Sequence, residues 1–82
     1  MTNDELTTIL ANATNLVPIG SKWEHYKDST AVVVNLCLDE DDLTPQVVYL
    51  HDTLTFCRPL RGFTSSVYVN DKWVPRFRRI DS

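Results

Sequence analysis

Apolar positions along this chain change their spacing once, early, and that change divides it. In "TNDELTTILANAT", Leu6, Ile9, Leu10 and Ala13 recur at i, i+3, i+4 and i+7, the spacing of one helical face. Thr2 or Asn3 can accept from first-turn amides, and Asp4 and Glu5 suit the positive end of the helix dipole. The spacing predicts a helix over residues 3–14, broken by Pro18 and Gly20 in "NLVPIG".

Beyond Gly20 the period falls to two. "SKWEHYK" reads as a first strand and "TAVVVNLCLDE" as a second. Strict alternation in the second would place Val32, Val34, Leu36 and Leu38 on one side and Ala31, Val33, Asn35 and Cys37 on the other. The acidic run Asp39–Asp42 reads as a solvated hairpin loop. "PQVVYLHD", opened by Pro45, is a third strand, and "TLTFCRP", closed by Pro59, a fourth. "SSVYVND" and "KWVPRFRRI" form a final hairpin around Asn70, Asp71 and Lys72, residues that tolerate the left-handed conformation of tight turns. Short strands about ten residues apart predict a small antiparallel β-barrel of SH3-like size in a single domain, residues 1–82, with the barrel over about 20–80 and the helix covering an open edge or end.

The 82 residues are too few for two cores, and a deep enclosed cavity is not expected. A surface groove, or a pocket completed by a second copy in a homodimer or higher oligomer, is the expected site. No apolar stretch approaches the ~18–20 residues that span a bilayer. Acids stand where a signal peptide needs positive charge, so a cytoplasmic protein is expected. Cys37 and Cys57 lie in apolar runs and read as reduced, buried structural thiols.

Charge adds an asymmetry. Residues 1–52 carry −7 and residues 53–82 carry +4, together the overall −3. The positive part culminates in "VPRFRRI", residues 74–80. If that segment is one extended strand, Phe77 points inward and Arg76 and Arg78 point outward side by side, a pair able to grip one anion. A salt bridge from Arg58 or Arg76 to Asp39–Asp42 or Asp52 is the competing expectation.

The order "HYK" (25–27), "VVY" (47–49), "RP" (58–59), Phe63 and "VPRF" (74–77) resembles a family of small bacterial and phage proteins known as domain of unknown function 1653. The likeness covers about residues 20–80. Asp28 stands where the family usually has Gly, Trp23 where it has Tyr, and "TLTF" replaces its "GxLWV". The resemblance implies a small β-rich fold and no particular activity.

Among chemistries, His25, His51, Cys37 and Cys57 lack the paired spacing of a zinc site, and no metal or cofactor is expected. No nucleophile elbow or phosphate-cradling glycine loop accompanies them, so no enzyme activity is expected. The combination of arginines with aromatic rings suits a nucleotide or another small anion. The expected function is therefore a non-catalytic binding domain for a small anionic ligand, a nucleotide or nucleotide-derived signal, as in a phage protein that sequesters a host nucleotide signal. Arg58, Arg76, Arg78 and Lys27 would meet the anion, and Trp23, Tyr26, Tyr49 or Trp73 would stack on the base. The acidic balance, with a pI of about 5.1, argues against double-stranded nucleic acid. The rival expectation is a protein-interaction module using the helix face or an open strand edge.

Overall fold

In the computed structural model, which describes residues 1–81, the N-terminal helix begins where its sequence supplies a cap. Thr2 accepts from the Glu5 amide while the Glu5 carboxylate accepts from the Thr2 amide, a reciprocal capping box. Helix α1 runs Asn3–Leu16, one half-turn beyond the expected end, and buries Ala13 with Leu10 packed beside it.

Seven strands follow: β1 Lys22–His25, β2 Thr30–Leu38, β3 Pro45–His51, β4 Leu54–Pro59, β5 Ser66–Val69, β6 Lys72–Pro75 and β7 Phe77–Arg79. A short helix, α2 Leu60–Phe63, separates β4 from β5. Five strands form one antiparallel sheet in the order β4-β3-β2-β1-β7, and β5-β6 is a separate hairpin. The expected barrel does not close. Closure needs the two outer strands to pair, and here β7 bonds to β1 while β4 ends the sheet at the opposite side. The chain between them is diverted into the β5-β6 ribbon, whose turn has Asn70 and Asp71 at φ 52° and 65°, as its sequence predicts.

One face of the sheet carries the core. Val17, Ala31, Val33, Leu36, Val47, Tyr49, Phe63 and Phe77 are buried there with Ala13. Strict alternation would have put Leu36 opposite Ala31 and Val33. The β2-β3 register shifts between Val33 and Asn35, and the extra residue, Val34, advances the phase so that Leu36 joins the core. Val34 is left exposed on the bulge.

Phe63, fully buried, holds the two halves of this core together. Its ring stacks on Phe77 with centroids 4.1 Å apart and 8° between planes, and meets Trp23 and Tyr49 edge-on at 5.3 and 5.6 Å. The helix that presents it is one turn long and has no periodicity to betray it in the sequence.

The segment "VPRFRRI" does not stay one strand. Val74 and Pro75 end β6 in the hairpin, Phe77 starts β7 in the main sheet, and Arg76 is the joint. Its N–H donates to the Ser65 carbonyl, and its own carbonyl accepts from the Tyr26 N–H. Inward Phe77 is as expected, but Arg76 and Arg78 do not form a side-by-side pair. The cysteines also depart from expectation: Cys37 is half-buried and Cys57 is exposed. Register puts both on the side of the sheet opposite the core, level with Gln46 and Val48. There the Cys57 thiol lies 3.8 Å from the Gln46 side-chain oxygen.

Candidate anion-binding cavity

Antiparallel register brings together residues far apart in the chain. His25 pairs with Phe77, Val47 with Arg58, and Tyr49 with Phe56, so these rings and the guanidinium emerge on the core side of neighbouring strands. Around them lies a cavity of about 200 Å³, lined also by Ser29, Ala31 and His51. Tyr49, Phe56 and Phe77 form the aromatic walls, with Tyr49 at 5.9 Å from Phe56 and 5.5 Å from Phe77.

Arg58 is the decisive residue. It sits on β4, half-buried, with its aliphatic stem facing Gly62, where a Cβ would meet it at 3.6–3.7 Å, in ordinary van der Waals contact. Its Nε is buried without a hydrogen-bond partner, and Arg58 forms no salt bridge among the described residues. A buried, unpartnered donor on a permanent cation is costly, because desolvation is not offset by any acceptor. The salt bridge from Arg58 to Asp39–Asp42 or Asp52 that the charge asymmetry suggested is not formed.

The two histidines play different parts. The Lys27 backbone N–H donates to His25 Nδ1 at 3.2 Å, which makes Nδ1 the acceptor and leaves Nε2 carrying the ring hydrogen. Partial burial first, and then the positive charges of Arg58, Arg76, Lys27 and His51, hold His25 below the ordinary imidazole value. His25 is thus a neutral donor on the cavity wall. His51 Nδ1 lies 3.3 Å from the Thr30 carbonyl, which can only accept, so that nitrogen carries a hydrogen. Its Nε2 is 3.6 Å from the exposed Asp52 carboxylate.

Of the eight residues expected at a site, the fold brings Tyr49 and Arg58 into this cavity. Tyr26 and Lys27 stand at its margin in the β1-β2 turn: the Tyr26 ring lies tilted by 37° against that of His25 with centroids 4.5 Å apart, and Lys27 Nζ lies 5.6 Å from the Tyr26 ring centre. Trp23 is half-buried in the core, its Nε1 donating to Ser21 Oγ at 2.8 Å. Trp73 is 70% exposed on the separate hairpin, edge-on to Tyr68. Arg76 Nε points to Ser65 Oγ at 3.4 Å. Arg78 forms a 2.7 Å salt bridge with Glu24, its cross-strand partner.

Sequence reasoning passed over His25, Ser29 and Phe56 as parts of one site. The signal available was "HYK", whose backbone places a donor against His25 Nδ1. The histidines share the cavity while the cysteines occupy the opposite side of the sheet, and no cluster of three or more His, Cys, Asp or Glu able to hold a metal ion is found among the described residues.

A family model described as "Protein of unknown function (DUF1653)" matches residues 21–79, a span that contains every residue of the cavity. The chain belongs to this family. A crystal structure of a DUF1653 protein from Bordetella bronchiseptica superposes with a TM-score of 0.67 at 21% identity, covering 74% of this chain and 85% of that one. That likeness shows the β-rich fold. No curated protein matches. No helix among the described residues is long and apolar enough to cross a membrane.

Proposed function

We propose that this chain is a non-catalytic binding domain for a small anionic ligand, held in the cavity beside Arg58. One observation carries the reading: Arg58, half-buried and with an unpartnered Nε, lines an aromatic-walled cavity. Arginine matches carboxylate and phosphate oxygens through its planar fork, and an entering anion would offset the cost of its burial. The His25 Nε2–H and the Ser29 hydroxyl add donors beside it.

Hydrogen bonding supports the non-catalytic part. Nδ1 of His25 is spent on the Lys27 amide, and His51 is held between Thr30 and Asp52. Among the described residues, neither ring is hydrogen-bonded to a serine or cysteine that it could activate. At about 200 Å³ the cavity is smaller than the roughly 300–1,000 Å³ of typical small-molecule sites. It fits a ring or a charged end group, and a nucleotide would have to leave much of itself outside.

The test is a thermal-shift screen of wild-type protein and Arg58→Met against small carboxylates, inorganic phosphate and mono-, di- and cyclic nucleotides, with mass spectrometry of each compound after incubation. A saturable shift with at least one anion, absent in Arg58→Met, and an unchanged compound are expected. No shift with any anion, or one that survives the substitution, would sink the site; a converted compound would sink the non-catalytic reading.

A further inference from the structure

We infer that the cavity takes a singly charged carboxylate carried on a small flat ring and discriminates against phosphate-monoester dianions. This rests on the anion-binding reading and names its ligand class.

Charge is the first argument. Arg58 is the one permanent cation in the lining. His25 adds a hydrogen but no charge, because protonation at Nδ1 would set two hydrogens against each other at the Lys27 amide. The other nearby cations are directed elsewhere: Lys27 lies against the Tyr26 ring, Arg76 is turned to Ser65, and His51, when protonated, has the Asp52 carboxylate 3.6 Å from its Nε2. Asp52, beside His51, brings a carboxylate towards the same end of the cavity. A monoanion is therefore matched by Arg58, whereas a dianion would carry one unbalanced charge into a recess walled by Tyr49, Phe56 and Phe77, where uncompensated charge is expensive.

Shape is the second. A carboxylate is planar and terminal, and pairs edge-to-edge with a guanidinium through two parallel hydrogen bonds. A phosphodiester, also singly charged, bears a substituent on both sides and would have to hold at least one of them outside a cavity of about 200 Å³. Tyr49 and Phe77 meet near-perpendicular at 69°, so a ring lying flat on one presents its edge to the other, the preferred geometry for aromatic contact. The methyl of Ala31 is the smallest side chain of the lining and leaves room beside them.

The experiment titrates wild-type protein with benzoate and with phenyl phosphate at pH 7.5, where the phosphate monoester, with its second pKa near 6, is mainly dianionic. Backbone amide NMR shifts of Ser29, Ala31 and Tyr49 report occupancy. Saturable benzoate binding at these residues, with phenyl phosphate at least about tenfold weaker, is expected. Arg58→Lys, which keeps the charge but loses the planar fork, should weaken benzoate binding, and Arg58→Met should abolish it. Equal or tighter binding of phenyl phosphate would overturn the carboxylate assignment and leave the anion site standing. If neither probe binds at these residues, or if benzoate binding is indifferent to both Arg58 substitutions, the anion site itself falls with it.

Discussion

The two outer strands of the main sheet treat positive charge in opposite ways. On β7, Arg78 pairs with Glu24 at 2.7 Å and Arg79 with Asp81 at 2.8 Å, and the latter bond holds the Asp81 carboxyl below its usual range. On β4, Arg58 is half-buried and has no carboxylate partner among the described residues. The densest run of arginines in the sequence is therefore the settled one, satisfied within the chain and open to water. The isolated arginine, directly before Pro59, is the unsettled one. Counting charge along a sequence finds the first kind. Finding the second requires knowing which acids the fold places within reach.

Breaking both sides at once gives the largest effect. Phe63 touches Phe77 of β7 and Tyr49 beside β4, so Phe63→Ala should lower unfolding free energy by about 3–5 kcal/mol, read by chemical denaturation. The contrast between edges is sharpened by Arg58→Met. Removing an unpartnered buried cation should raise stability by about 1 kcal/mol, which in a domain of this size moves Tm up by about 4–8 °C without ligand. A fall of similar size would mean that Arg58 is satisfied in a way the structure does not show.

A smaller effect concerns His25. Its folded pKa lies below the unfolded value, so the unfolded chain binds a proton that the folded chain refuses. The contribution is fully present above the unfolded value of about 6.5 and is lost as pH falls from there through the folded pKa. Stability should therefore decline over that interval in wild type and less steeply in His25→Asn, whose side-chain oxygen can still accept from Lys27; parallel declines would remove His25 as the cause. Smallest of all, a double-mutant cycle on Arg78 and Glu24 should give a coupling of at most about 0.5 kcal/mol that vanishes at high salt, because both side chains are substantially exposed. A coupling well beyond that would erase the contrast between the edges.

Local chemistry was legible and closure was not. The capped helix, the hairpin at Asn70-Asp71 and four strands follow from periodicity and turn residues, since each depends on neighbours in the chain. The bulge at Val34 reverses which side Leu36 faces, and nothing within "VVVNL" announces it, because a bulge is a property of pairing with β3. Whether seven short strands make a barrel or an open sheet depends on β4 finding a partner, which is equally non-local. The site divides in the same way. Tyr49 and Arg58 were identifiable as residue types suited to an anion, and His25 only as a possible metal ligand or base. Phe56 became part of the site through its register with Tyr49, and Ser29 through the β1-β2 turn that sets its carbonyl against the His25 N–H.

The outer side of β4 also leaves backbone donors and acceptors uncovered, next to Leu54 and Phe56, which are 61% and 41% exposed. Such a border invites a second molecule to add its own strand and begin a polymer, and proteins discourage this with a charge that cannot be carried into the joined product. Arg58 is placed to do that. The substitution expected to toughen the single molecule should therefore also shorten its shelf life in concentrated solution, as light scattering over days would record. Thermal resistance and resistance to self-association would then be set in opposite directions by one side chain.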